Sequence, residues 1–261
     1  MEYISSKENQ TIKYIKKLIS SASFRREEGL FVAEGLRLCE DALRSGAAVT
    51  CALFSETLAA KNPALVGRVS AVCREVYAVR DSIFSTVSDT KTPQGVLFVI
   101  KRLDKKLDFD TMKKNGKILA LEAIQDPVNL GTILRSAEAL GADAVVLSRD
   151  CCDVYAPKVI RGSMGAVFRL PLTEAEDLSD FITAFNRIGT SYAAVLDRDS
   201  RIVSECDFSS LSLCALGNEG NGLTPATVAA CTHKVFIPMP GGAESLNVSA
   251  AAAILLWEMI R

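Results

Sequence analysis

Six polar residues stand out by type and position: Asn129 and Arg135, Asn218 and Glu219, Ser245 and Asn247. Each pair follows a short apolar run (Ile118 to Leu121, Leu213 to Leu216, Val235 to Pro238) of the kind a strand covered on both faces requires. Parallel strands open their carboxyl-end loops along one edge of a sheet, so the three pairs are expected to converge there. Arg135 would bring a permanent charge and a planar fork of donors, suited to a phosphate or to an oxygen that gains charge during reaction. The glycines of Gly217-Asn-Glu-Gly-Asn-Gly222 permit close approach of backbone to a flat or extended ligand. Glu219 is the odd residue of that loop, since a tight turn needs no carboxylate. Plainer readings stand beside these: a strand-to-helix turn for the glycine loop, and an ion pair with Glu138 for Arg135. No Gly-x-Gly-x-x-Gly follows a strand and no Gly-x-x-x-x-Gly-Lys-Ser/Thr loop occurs, which argues against a dinucleotide fold and a phosphate loop. The single histidine, His233, has no spaced partners for a metal and reads as a surface or capping residue.

The elements that must hold these residues alternate strand and helix. After the strand Ile118 to Leu121, a helix is expected from about Leu130 to Leu140, capped by Asn129 and ended by Gly141, and then a strand from Ala144 to Leu147. Leu130, Ile133, Leu134, Ala137 and Leu140 form its core face, leaving Arg135 off the apolar stripe. Further on, the pattern predicts a short helix Pro157 to Met164, a strand Val167 to Leu170, a helix Leu178 to Ile188 and strands Ser191 to Leu196 and Leu211 to Leu216. A helix Thr224 to Ala230 follows. The last helix, about Leu246 to Met259, carries no charge until Glu258; it is too apolar for a solvated helix and too short for a membrane span. Asn247 and Ser249 stand at its entrance, and the small residues Ser249 to Ala253 allow close approach of another element or another subunit.

The front of the chain has the same alternation on a smaller scale. Leu30 to Val32, Val49 to Phe54, Val69 to Cys73, Val76 to Val79 and Gly95 to Ile100 read as strands with helical segments between them, a small α/β/α unit of residues 1–100. Lys13, Lys16, Lys17, Arg25 and Arg26 form a basic cluster that is either an RNA-facing patch or a solvated helix face. Residues 101–117 hold seven lysines or arginines against three aspartates and read as a basic linker, free either to follow a phosphate backbone or simply to stay dissolved. The second domain is then 118–261, with all three polar pairs, and is expected to fold by itself.

With 261 residues and 49% of them hydrophobic, the chain has enough apolar material for two cores and is not disordered or fibrous. A formal charge of −1 gives no global signal for a polyanionic partner, which leaves local patches open. Eight cysteines without a Cys-x-x-Cys pair read as reduced thiols of a cytoplasmic protein, and the adjacent pair Cys151-Cys152 as incidental. No secretory signal is visible at the start.

Taken together, Asn129-Leu-Gly-x-x-x-Arg135-x-Ala137, Leu216-Gly-Asn-Glu-Gly-x-Gly222 and Ile237-Pro-Met239 through Ser245-Leu-Asn-Val-Ser249 resemble the three motifs of the SpoU, or TrmH-like, family of RNA ribose 2′-O-methyltransferases, in order and complete. Phe31-Val-Ala-Glu-Gly-Leu-Arg-Leu38 resembles the start of the small substrate-binding domain, similar to ribosomal protein L30e, that many members carry. The resemblance implies an L30e-like RNA-binding domain followed by an α/β-knot domain that binds S-adenosylmethionine in a trefoil knot and dimerises beside it. It places the cofactor against Leu196, Gly217, Asn218, Gly220, Ile237, Met239 and Leu246, and the ribose hydroxyl against Arg135, with Asn129, Glu219, Ser245 and Asn247 around it. No metal and no membrane enter this scheme. The segment Ser163-Met-Gly-Ala166 resembles a family stretch near the substrate face, to which Lys158 and Arg161 would add RNA contacts; a helix end packed with small residues is the alternative. A two-domain chain of this type is more similar to the ribosomal RNA enzymes than to the minimal transfer RNA ones. Methylation of transfer RNA, or a non-catalytic RNA-binding or ribosome-assembly role on the same fold, are the alternatives.

Overall fold

The computed structural model describes residues 1–103 and 107–261, which form two compact units. The first unit contains β1 (Glu2–Ile4), α1 (Gln10–Ser20), α2 (Ala22–Glu28), β2 (Leu30–Glu34), α3 (Leu36–Arg44), β3 (Val49–Ser55), α4 (Glu56–Lys61), α5 (Pro63–Val72), β4 (Glu75–Val79), α6 (Asp81–Val87) and β5 (Val96–Lys101). Its five strands run in the order β1-β4-β3-β5-β2, with β5 antiparallel to β3 and β2 and the other pairs parallel. Ile12, Ile15 and Leu18 are buried at helical spacing on α1, against Leu53, Leu97 and Val99 of the sheet. The strand expected at Val69 to Cys73 is instead the end of α5: Asn62 caps that helix and Pro63 opens it, a helix-start signal that outweighs the β-branched residues near its end. Arg25 leaves the proposed basic patch altogether. It is buried, and its Nη1 donates to the Leu18 and Ile19 carbonyls, 2.6 and 2.9 Å away, that close α1.

The second unit is built on β6 (Lys117–Leu121), α7 (Pro127–Ala139), β7 (Ala144–Ser148), then α8 (Pro157–Gly162) and α9 (Ala166–Arg169), β8 (Leu172–Ala175), α10 (Leu178–Phe185), β9 (Thr190–Ala194), β10 (Arg201–Ile202), β11 (Ser212–Leu216), α11 (Pro225–Ala230), β12 (His233–Phe236) and α12 (Val248–Ile260). The seven strands form one sheet in the order β10-β12-β9-β11-β6-β7-β8, and every pairing is parallel. All five residues of β6, β7 and β11 are buried, because helices cover both faces; that is why these strands read as unbroken apolar runs. Ile118, Ala120, Leu213 and Ala215 pack on one face against Leu178, Ile182 and Phe185 of α10. Two late strands enter the interior of the sheet: β11 lies between β9 and β6, and β12 between β10 and β9. Because all strands run parallel, the loops after β6, β9, β11 and β12 open at a single edge.

The expected linker is only partly a linker. Residues 104–106 lie outside the described residues. Phe109 packs edge-on against Phe181 and Phe185, Lys113 pairs with Asp143 at 2.6 Å, and Lys117 is a buried residue of β6. The Lys117 ammonium donates to the carbonyls of Asn115, Phe208 and Ser210 at 2.8, 2.6 and 2.9 Å, and burial pushes its pKa down. These two lysines hold the strand's entrance together and are not spare charge for a phosphate backbone. The expected strand Val167 to Leu170 is also corrected: Ala166–Arg169 is a helical turn, and the strand begins after Pro171, at Leu172.

Residues Tyr155–Phe168, although they follow β7 in sequence, group with the first unit. Tyr155 is fully buried; its ring lies 4.6 Å from that of Phe31, and its hydroxyl accepts the Leu103 amide at 2.9 Å. Phe168 stacks on the same Phe31 ring at 6.3 Å. A fragment lacking 1–103 therefore loses the partners of two aromatic side chains, each of which hides roughly 150–250 Å². Such a fragment is expected to melt below the full chain and to bind a hydrophobic dye. An unchanged melting midpoint for the fragment would show that this packing contributes nothing.

Candidate active site

At the carboxyl edge of the sheet the chain leaves β6 through Glu122, Ala123, Ile124, Gln125 and Asp126. Asp126, not Asn129, caps α7: its Oδ1 accepts the Val128 amide at 2.8 Å, and Pro127 occupies the first helical position, where its missing N–H costs nothing. The helix starts three residues earlier than the apolar periodicity suggested, so Asn129 lies in its first turn with its side chain free for other work. Asn129 Nδ2 donates to Glu219 Oε1 at 3.0 Å, and Asn129 Oδ1 accepts from Asn247 Nδ2 at 3.0 Å. Asn247 does cap α12: its Oδ1 accepts the Ser249 amide at 2.9 Å and the Ser249 hydroxyl at 2.6 Å. One hydrogen-bonded chain, Ser249 to Asn247 to Asn129 to Glu219, thus joins the three strand-end loops.

Glu219 ends that chain as a multiple acceptor. Besides Asn129 it takes the Gln125 and Asp126 amides, each at 3.3 Å. Partial burial pushes its carboxyl up, but the hydrogen bond from Asn129 and those from backbone amides outweigh this and hold it below the usual carboxylate range. A turn needs no carboxylate, whereas a turn that must grip the start of α7 does. Asn218 adds a second grip: Nδ2 donates to the Ala123 carbonyl at 2.8 Å, while Oδ1 accepts the Gly220 and Asn221 amides at 2.9 and 3.0 Å.

Arg135 is exposed on α7, and among the described residues its guanidinium has no hydrogen-bond or ion-pair partner. The plain alternative for it is gone, because Glu138 is taken by Arg169 at 2.7 Å. Helical spacing puts Arg135 on one face with Val128 and Thr132, the former a valine that is 60% exposed. Beside the loops lies a cavity of ≈170 Å³ whose walls include Leu196, Ile237, Met239, Ser245 and Leu246, with Ala251 and Leu255 of α12. Four residues placed against a cofactor by resemblance thus share one cavity with Ser245, while Gly217, Asn218 and Gly220 lie outside its lining, in the loop that Glu219 anchors. Cys151 and Cys152 sit at the same edge, but burial, first among several causes, pushes the Cys152 thiol up to about 12, so it carries no thiolate near neutrality.

The sequence profile described as the SpoU rRNA Methylase family matches residues 116–257. The chain belongs to that family. A second profile, the MRM3-like substrate binding domain, matches residues 9–97 of this SpoU methylase. It is 31% identical to the 23S rRNA (guanosine(2553)-2′-O)-methyltransferase RlmP of Bacillus subtilis over 99% of each chain. An uncharacterized tRNA/rRNA methyltransferase of Synechocystis is 32% identical over 99% of this chain and 93% of its own. The crystal structure of an AdoMet-bound rRNA methyltransferase from Sinorhizobium meliloti superposes with a TM-score of 0.89 at 29% identity, covering 99% of this chain and 97% of that one.

Several residues that build the edge of this SpoU methylase were missed in the sequence. Glu122 is buried, and its two oxygens accept from the Thr224 amide at 2.7 Å and from the Thr224 and Thr227 hydroxyls at 2.9 and 2.5 Å, which fixes the exit of the glycine loop. Ala123 has a positive φ of 53°, and its amide donates to Ser148 Oγ at 2.9 Å. The signals were partly present: Asp126-Pro127 is a helix-start pair, and Glu122 is a carboxylate directly after a buried strand. Ser163, in contrast, is fully buried and donates to the Ile160 carbonyl at 2.8 Å, which fits the helix-end reading of its segment.

Proposed function

We propose that this protein transfers the methyl group of S-adenosylmethionine to a ribose 2′-hydroxyl of ribosomal RNA. The observation that carries the reading is the hydrogen-bonded chain joining three strand-end loops beside an apolar cavity, with an unpartnered arginine on the adjoining helix. The names of the relatives and of the cofactor-bound neighbour agree with it. Leu196, Ile237 and Leu246 offer apolar walls to a flat base. Among the described residues no backbone hydrogen bond engages 237–246, so that loop keeps amides and carbonyls for a ligand's polar edge. The cofactor supplies a methyl group already activated on a sulfonium, and this chain must align the hydroxyl and manage charge. Arg135 stays protonated, and we assign it to fixing a substrate phosphate and stabilising the oxygen as its proton leaves. Asn129, Glu219 and Asn247 hold the surrounding loops in register, and Ser245 stands at the cavity wall. The late entry of β11 and β12 into the sheet supports a knotted path for the chain.

The test is methyl transfer from labelled cofactor to unmodified large-subunit RNA transcript, with the product mapped for 2′-O-methylation. No incorporation into ribosomal or transfer RNA from cells lacking the gene would overturn the reading.

We also infer a homodimer through the outer face of α12. Ala251 lines the cavity and Ala252 is fully buried, so we place the contact on the exposed Ile254, Trp257 and Ile260, 38, 58 and 40% exposed, in place of the small residues 249–253. These three exposed apolar side chains on one helix favour a covering partner. Trp257→Glu is expected to give a monomer by light scattering at micromolar concentration, where the wild type is a dimer. A monomeric wild type would sink the inference.

A further inference from the structure

The pairing of β6 with its neighbours β7 and β11 ends at Leu121. Past that residue the chain bends at Ala123, whose φ of 53° lies in the left-handed region that a residue with a Cβ enters only at a cost. The bend takes two successive amides, those of Ala123 and Ile124, away from the strands, while Ile124 itself stays fully buried. A buried amide needs an acceptor, and no strand supplies one here.

Two side chains from the loop after β7 take that place. Ser148 is buried, and its Oγ accepts the Ala123 amide at 2.9 Å. Cys151 Sγ accepts the Ile124 amide at 3.4 Å and donates to the Leu121 carbonyl at 3.4 Å, so one thiol grips the bend from both sides. Burial, first among several causes, pushes the pKa of this thiol up, and the sulfur keeps the proton that it donates. Ser148 Oγ and Cys151 Sγ lie 3.7 Å apart, which lets the serine hydroxyl aim its own proton at the sulfur. The rest of the loop continues the grip. The Cys152 amide donates to the Ile124 carbonyl at 2.8 Å, and Gln125 Nε2 donates to the Asp150 carbonyl at 2.6 Å.

The glycine loop is held by groups that this bend presents. The Ala123 carbonyl accepts from Asn218, the Gln125 and Asp126 amides donate to Glu219, and the Glu122 carboxylate accepts from Thr224. Neither Ser148 nor Cys151 lines the ≈170 Å³ cavity, so any effect they have on a ligand passes through those contacts. We propose that Ser148 and Cys151 are positioning residues for cofactor binding: they hold Ala123 left-handed, and the bend so fixed sets the glycine loop against the cofactor. The proposal rests on the S-adenosylmethionine reading and gives a task to two side chains outside the three motifs. The cysteine that reads as incidental in the sequence is thereby a brace behind the site.

The test is calorimetric binding of S-adenosylmethionine to the full-length protein, well below the melting midpoint of each variant, with filter retention of an unmodified large-subunit RNA transcript beside it. Ser148→Ala and Cys151→Ala are each expected to weaken cofactor binding roughly fivefold, the effect of one hydrogen bond that no longer forms, while RNA retention keeps its wild-type value. Cys151→Ser, which keeps a donor and an acceptor, should recover most of the loss. So should Ala123→Gly added to Ser148→Ala, because glycine occupies the left-handed region without a hydrogen bond to hold it there. A role in stability alone would lower the melting midpoint and leave cofactor affinity untouched. Wild-type affinity in both alanine variants would therefore overturn the positioning role whatever their midpoints, as would failure of both rescues or an equal loss of RNA retention. A wild type that binds no S-adenosylmethionine would overturn the cofactor reading itself, and the wild-type titration alone tells the two failures apart.

Discussion

Replacing Arg135 with alanine is expected to lower methyl transfer by roughly 100-fold or more while leaving the fold and cofactor binding nearly intact. The side chain is exposed and off the apolar face of α7, so its removal opens no cavity, and with Glu138 committed to Arg169 it breaks no ion pair. What is lost is a charge poised at an edge where three loops are already locked together by hydrogen bonds. An interaction that strengthens as the ribose oxygen gains charge acts on turnover more than on binding, so kcat should carry the loss. Arg135→Lys should restore little, because an ammonium is a point donor and cannot span a hydroxyl and a phosphate together. The measurement pairs calorimetric binding of S-adenosylmethionine with single-turnover methylation. Near-normal turnover in the alanine variant would remove Arg135 from the mechanism; a fall in cofactor affinity together with the melting midpoint would give it a structural role instead.

The residues of the candidate site were legible in the sequence because polar pairs after buried strands have few other reasons to recur, and the parallel pairing does bring their loops to one edge. Their individual tasks were not. Asn129 reads as a helix cap until Asp126-Pro127 is recognised as the true start of α7, and that shift is what turns Asn129 toward Glu219 and Asn247. Local pattern failed in a similar way at Val69 to Cys73, where β-branched residues suggest a strand but the cap and proline at Asn62-Pro63 decide for a helix. Basic residues misled for another reason: Arg25 and Lys117 look like surface charge, yet each satisfies backbone carbonyls in the interior, 7 residues back in one case and 91 residues on in the other, a pairing that composition does not encode. The membership of Tyr155 to Phe168 in the first unit depends on Phe31 lying against Tyr155 and Phe168, which no periodicity predicts. Strand β1, three residues at an edge, is too short to leave a pattern.

Gly217→Ala is expected to be the most damaging single methyl in the glycine loop. A Cβ at this position would lie 2.0 Å from the Gly222 carbonyl carbon and 2.2 Å from both its oxygen and the Leu223 nitrogen, all of them backbone atoms that cannot swing aside. The loop is closed by reciprocal hydrogen bonds between Asn218 and Gly222, at 3.0 and 2.9 Å, and the added methyl forces them open. Overpacking of this kind costs about 1–3 kcal/mol, which for a chain of this size lowers the melting midpoint by roughly 5 °C. The larger effect should be on the site, because Asn218 and Glu219 are the residues through which the loop grips Ala123, Gln125, Asp126 and Asn129. Cofactor affinity is expected to fall roughly tenfold or more, by the two or more hydrogen bonds that lose their geometry. Gly220→Ala is the control: its Cβ would meet only Asn218 Oδ1, at an ordinary 3.5 Å, so the melting midpoint should stay at the wild-type value. If Gly217→Ala kept both the wild-type midpoint and wild-type cofactor affinity, the loop would have another closure of equal energy, and the close contact of Gly217 with Gly222 could not be what holds Glu219 against the start of α7.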